Sequence, residues 1–152
     1  MVKKANSRLW FLRRLKLLGA SQNTLIDLFK LFVRSALEPA VPLWAGAIIE
    51  KEKHDIEKVQ KNAIKLISGP AYRDYIGAIK SFKLDTLDAR RKKLCLKFAK
   101  KSVKSERFKH WFKLKPSMNT RNKEKYQKPK ANTKRYARSA IPYLTDLLNE
   151  DT

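Results

Sequence analysis

Along most of this chain apolar side chains recur at three- and four-residue steps, and one decamer, LEPAVPLWAG (residues 37–46), breaks the pattern. Such steps gather apolar groups on one face of a helix, whereas a strand would alternate them every second residue. Pro39 and Pro42 remove two amide donors and fix the backbone, so no helix crosses the decamer intact. The expected fold class is all-α. It is an irregular bundle of about five helices, with a basic, poorly structured C-terminal segment and a short terminal apolar turn.

The first helix is expected over 5–18, capped by Asn6 or Ser7 and ended by Gly19, with Leu9, Phe11, Leu12, Leu15 and Leu18 as its apolar side chains. Ser21 starts a second over 22–37. There Leu25, Leu28, Phe29, Phe32 and Ala36 form one stripe and Ile26, Val33 and Leu37 another, which marks a central, buried helix. A third over 50–67 turns Ile56, Val59, Ala63, Ile64 and Ile67 inward. Glu57 and Lys61 are spaced for an ion pair on its outer side, and Ser68-Gly69-Pro70 ends it. A fourth over 72–82 uses Tyr72, Tyr75, Ile76 and Ile79. A fifth over 86–103 is capped by Asp85, with Leu87, Leu94, Phe98 and Ala99 inward and lysines outward. Residues 105–112 add a further turn.

These readings divide the chain into a helical bundle (1–112), a basic linker or tail that orders on a partner (113–138) and a terminal docking segment (139–152). Ile141, Tyr143, Leu144, Leu147 and Leu148 would dock that segment. Pro39, Pro42 and Trp44 make a structural corner between the second and third helices. Glu38 is the one ionisable side chain in the decamer and the sequence offers it no partner, which argues against a reactive loop. Ala40, Val41, Leu43 and Trp44 are too apolar to stay in water, so the corner is expected to be buried, with Trp44 plugging the core of a single domain. Trp44→Ala would then cost about 3–5 kcal/mol.

Charge is the second constraint. The chain has 152 residues, 36 Lys+Arg against 14 Asp+Glu, and a formal net charge of +22. Residues 1–18 hold six basic and no acidic side chains, and 97–138 hold sixteen basic and two acidic ones, while 19–96 are close to balanced. A field of that sign attracts polyanions. Apolar residues make up 43% of the chain, enough for a folded core. No apolar run reaches the length of a membrane span, so no membrane partner and an intracellular, nuclear location are expected.

Chemistry is harder to find. The lone Cys95, amid KKLCLKFAKK, reads as a buried inert thiol and excludes an internal disulfide. His54 and His110 lie far apart among lysines and read as surface imidazoles. Glu50, Glu52, Asp55 and Glu57 point to different sides of one helix, interleaved with Lys51, Lys53 and Lys58, and suit the positive end of its dipole better than a metal. No phosphate-cradling glycine loop and no nucleophile–base grouping is present. The expectation is no catalytic residues, no metal, no cofactor and no enzyme activity.

The basic ends remain. Lys3, Lys4, Arg8, Arg13, Arg14 and Lys16, then Lys97, Lys100, Lys101, Lys104, Arg107, Lys113 and Lys115, are candidates for holding phosphates, with Trp10 or Trp111 to stack on bases. Phe112, Tyr126, Arg135 and Tyr136 extend that interleaving of cations and rings.

Five blocks carry a resemblance. KANSRLWFLRRLKLLG, FVRSALEPAVPLWAGAI, DIEKVQKNAIKLISG, TLDARRKKLCLKFAKK and RYARSAIPYL…LLN look, in that order, like the C-terminal part of non-LTR (LINE-type, Jockey-like) retrotransposon reverse transcriptases. The first block is similar to that family's thumb helix and the second to its LEYA-x-x-W stretch. The resemblance implies a helical thumb and following region that grips template and primer. It also implies RNA or an RNA–DNA duplex as partner, and a polymerase palm or a second copy as a protein partner. The aromatic-x-Asp-Asp turn of the palm is absent, as are fingers, endonuclease and a Cys/His knuckle. This suggests a truncated or separately encoded piece of an RNA-directed DNA polymerase, inert by itself. Pro39 stands where the family has tyrosine, which should end the second helix early.

Overall fold

The computed structural model describes residues 1–115 and 125–151. The fold is all-α: among the described residues there is no strand, only one isolated antiparallel bridge, Leu114 with Tyr126. The helices are α1 (Val2–Leu17), α2 (Gln22–Leu28), α3 (Val41–Trp44), α4 (Glu50–Ser68), α5 (Tyr75–Ser81), α6 (Leu87–Lys104), α7 (Lys134–Ala137) and α8 (Ala140–Glu150). They pack as two compact units, not the single one that the corner suggested. The first comprises Met1–Pro39 with Ile49–Arg90, and the second Ala40–Ile48 with Arg91–Thr152. The boundaries therefore differ from the 1–112, 113–138 and 139–152 division read from composition.

In the first unit, α1 turns Ala5, Leu9 and Leu12 inward. It begins at Val2, so Asn6 and Ser7 lie inside the helix and cap nothing. Gly19 ends it as expected, at φ 83°, where its amide and that of Ala20 bond back to the carbonyls of Lys16 and Leu15. Ser21 caps α2 by accepting from the Thr24 amide at 3.2 Å. The helix then widens into a π-turn over Phe29–Val33 and tightens over Arg34–Ala36. A π-turn shifts the side-chain register. Phe29, Val33 and Leu37 are buried, but Phe32, expected inside, is 42% exposed and Leu31 is 74% exposed.

On α4, Ile56, Val59, Ala63, Ile64 and Ile67 are all buried, as their spacing required. Its outer side differs from expectation. Glu57 does not stand out to meet Lys61; it accepts from the Tyr75 hydroxyl and from the Leu87 amide, the latter at 3.1 Å. The Gln60 amide nitrogen donates to the Tyr75 oxygen at 3.0 Å and to the Asp85 carbonyl at 2.9 Å. Burial, and then the bond to Glu57, hold the Tyr75 phenol above its ordinary pKa. One polar network thus joins α4 to α5 and to the start of α6. The expected Asp85 cap is corrected by one residue: the Thr86 hydroxyl accepts from the Ala89 amide at 3.2 Å.

Glu38 also departs from its reading. The Arg90 guanidinium binds it through two nitrogens, Nη2 to Oε2 at 3.1 Å and Nε to Oε1, and Arg34 Nε stands 3.5 Å from Oε1. Burial and the adjacent Arg90 lower the pKa of Arg34, whereas the hydrogen bond to Glu38 raises that of Arg90. Far from unpartnered, Glu38 holds two cations together.

In the second unit, Val41 and Ala45 pack with Cys95, Ala99, Leu144, Leu147 and Leu148. Pro39 is exposed, Ala40 turns the chain at φ 50°, and Pro42 sits in the first turn of α3, where no amide donor is needed. Leu43 is 66% exposed and Trp44 only partly buried against the cluster, which corrects the fully buried corner. Gly46 allows a close approach in this packing. A Cβ there would meet the Tyr143 Cβ at 2.6 Å and the Arg138 carbonyl at 2.7 Å. The terminal segment is an 11-residue helix, longer than the single turn expected.

The segment read as linker contributes to this core. Phe112 and Tyr126 are buried with their rings edge-on at 6.5 Å. The Asn149 side chain pairs with Tyr126 as a peptide would, accepting from its amide at 2.9 Å and donating to its carbonyl at 3.1 Å. The part of the predicted linker over 116–124 lies outside the described residues.

Gly46→Ala should destabilise the fold by about 1–3 kcal/mol, because two of the blocking atoms belong to backbone or Cβ and cannot rotate away. Glu38→Ala should cost about 2 kcal/mol by leaving two guanidinium groups facing each other, and added salt should recover part of that loss. Urea denaturation midpoints at two ionic strengths check both.

Candidate nucleic-acid interface

The basic candidates separate into groups by what their side chains touch. In the first unit, Lys3, Lys4, Arg13 and Arg14 are exposed on α1. Arg8 is not free: it lies 4.4 Å over the Phe32 ring and donates to the Phe32 carbonyl, which also accepts from the Ser35 hydroxyl. Lys16 donates to the Leu66 carbonyl on α4. These two, offered by the sequence as phosphate ligands, are committed within the fold. Arg14 lies 5.7 Å from the centroid of the Trp10 ring, and Trp10 is 62% exposed.

In the second unit, Lys97, Lys100, Lys101 and Lys104 are exposed along α6. The buried groups of that part of the helix, Cys95, Ala99 and Ser102, occupy the opposite side. Lys93, which the sequence reading did not include, continues the row: 93, 97, 100 and 104 share one face of a helix by their four- and three-residue steps. That spacing was available in the sequence. Lys100 pairs with Asp151 at 2.6 Å, and Lys128 pairs with Asp146 at the same distance. Pairs this exposed contribute little to stability, but they turn acids of α8 toward their own basic segment. Lys113 is exposed and Lys115 half-buried. Their backbones flank the bridge, with the Lys113 carbonyl accepting from Gln127 at 2.8 Å and the Lys115 amide donating to Lys125 at 3.0 Å.

The aromatic candidates divide in the same way. Trp111 is partly buried, with Phe108 at 4.7 Å between ring centroids and His110 at 6.0 Å. Arg107 lies 5.5 Å over Phe108. Phe112 and Tyr126 are core residues and offer no face to a base, while Arg135 and Tyr136 are exposed. Of the stackers named from sequence, Trp10 is therefore the open indole.

Burial pushes the Cys95 thiol up to about 11, against the opposing charge of Arg91, so it is protonated at neutral pH and poorly nucleophilic. His54 and His110 are both exposed. Glu52 accepts from the Ile49 amide at 3.1 Å and Glu50 pairs with Lys53 at 2.6 Å, so these two acids serve the start of α4, whereas Glu57 serves the start of α6. Among the described residues no group of three or more His, Cys, Asp or Glu is placed to hold a metal ion, and no helix is long and apolar enough to cross a membrane. No family model, curated protein or solved structure matches the chain.

The division between committed and open cations has a measurable consequence. Arg8→Ala should lower stability by about 1 kcal/mol through the lost ring contact and carbonyl bond, whereas Arg13→Ala should stay within about 0.5 kcal/mol of the parent. Thermal melts of the two variants at low salt test this.

Proposed function

We propose that this chain binds nucleic acid through the open cations of α1 and α6 and has no catalytic activity by itself. In this reading it acts as the C-terminal, thumb-like part of a non-LTR retrotransposon reverse transcriptase, holding template RNA or an RNA–DNA duplex by its phosphates. One observation carries the reading: Lys97, Lys101 and Lys104 lie exposed along one side of α6, opposite the side that packs into the core. A row of cations at helical spacing suits a polyanionic backbone, since each contact releases counterions from it. An intracellular, nuclear location accords with that partner.

A second reading has its own support. Leu17, Leu18 and Leu31 are 80%, 81% and 74% exposed, which suits a structural module whose apolar side covers another domain, such as a polymerase palm, or a second copy. A transposon relic with no activity would present the same surface.

A salt titration separates them. Binding of an RNA–DNA duplex should weaken steeply as salt rises, with log K against log salt falling at a slope of about −4 or steeper. Substituting Lys97, Lys101 and Lys104 together by Ala should make that slope shallower by about 2–3. Absence of binding at low salt, or affinity indifferent to salt, would refute the nucleic-acid reading.

A further inference from the structure

We infer that the outer face of α1 is a stacking site for unpaired nucleotides, with Trp10 as the base platform and Lys3 and Arg14 as the phosphate contacts. The inference rests on the nucleic-acid reading above and narrows its ligand from any polyanion to a single-stranded segment.

The face is built by helical spacing. Lys3, Ser7, Trp10 and Arg14 follow one another by four, three and four residues, so they share one side of α1 over a length of about 16 Å. The buried groups Ala5, Leu9 and Leu12 take the other side. Trp10 is the largest apolar side chain of the row and is 62% exposed. An indole left in water forgoes the burial that makes tryptophan favourable in a core. The neighbouring Phe11, by contrast, is packed against Phe32 at 5.6 Å between centroids.

Charge complementarity decides the occupant. Residues 1–18 contain no acidic side chain, so every charge that α1 itself places beside the indole is positive. An apolar protein partner would cover the ring but leave the cations opposite nothing. Duplex would neutralise the cations but hide its base faces within its own stack. A single strand matches both features, because it alternates flat apolar bases with phosphates, and any base can stack on an indole. Arg14, whose guanidinium lies over the ring at 5.7 Å from its centroid, is moved aside by a stacked base toward the phosphate of that nucleotide.

Trp10 is 62% exposed, with the Arg14 guanidinium over its ring, so its substitution leaves the test interpretable. The probe is an oligothymidylate, titrated against the full chain at low salt and followed by intrinsic fluorescence and by anisotropy of a labelled strand. The parent should show quenching on binding. Trp10→Ala should weaken binding about tenfold, the loss of one stacked base, with an unchanged salt slope and melting temperature. Trp10→Phe should restore most of the affinity. If Trp10→Ala binds oligothymidylate as tightly as the parent while binding still falls with salt, the stacking site is wrong and the basic-surface reading survives. If Trp10→Ala instead converts a self-associated parent to monomer in sedimentation, the face belongs to a second copy and the inference fails. If the parent binds neither oligothymidylate nor duplex at low salt, the functional reading fails with it.

Discussion

A single carboxylate, that of Glu38, ties together residues 52 positions apart in the sequence. Its two oxygens meet Arg90 in the paired geometry that suits a guanidinium, and Arg34 approaches from one turn earlier. The location gives the contact its weight. Glu38 precedes the point where the chain leaves the first unit at Pro39, and Arg90 is the last residue before it leaves again. Both exits are thereby fixed within the first unit by one partly buried ion pair. Two arginines this close would repel if the acid between them were absent; burial and then the neighbouring Arg90 lower the pKa of Arg34, while the hydrogen bond to Glu38 raises that of Arg90.

A second set of polar contacts does comparable work nearby. Gln60 is buried in the middle of an apolar helix face, and it stays there because Tyr75 and the Asp85 carbonyl accept its amide hydrogens. Glu57 caps the first amide of α6 from another helix. Apolar burial sets which sides of α4 and α6 are inside, but it is indifferent to small slides and rotations. Directional hydrogen bonds remove that freedom, which is why one network among three helices matters beyond its modest energy.

The excess of positive charge acquires structure when each cation is asked what it touches. Arg8 and Lys16 satisfy carbonyls, Arg34 and Arg90 share Glu38, and Lys100 and Lys128 meet acids of α8. What stays exposed is patterned: the outer side of α1 around Trp10, and Lys97, Lys101 and Lys104 along α6. A net charge alone would draw any polyanion. Cations arranged along a helix face, with an indole among them in one case, give the attraction a direction and a shape.

The sequence by itself determined the all-α class, the inward face of α4, the stop at Gly19 and the burial of Cys95, because each follows from spacing or from a local backbone requirement. It also determined which ends of the chain are basic. It did not reveal the partners of Glu38, the role of Glu57, or the division of the basic residues into committed and open ones. Apart from Arg34, one helical turn before Glu38, those depend on groups 18 to 52 residues away, and no local pattern encodes them. Phe32 was misread because a π-turn shifts the register that uniform helical spacing assumes. Tyr126 was misread because a segment poor in aliphatic residues still entered a core, through one ring and the backbone pairing with Asn149. Spacing fixes which side of a helix avoids water. Only tertiary packing decides what meets that side, and which polar groups remain to meet a ligand.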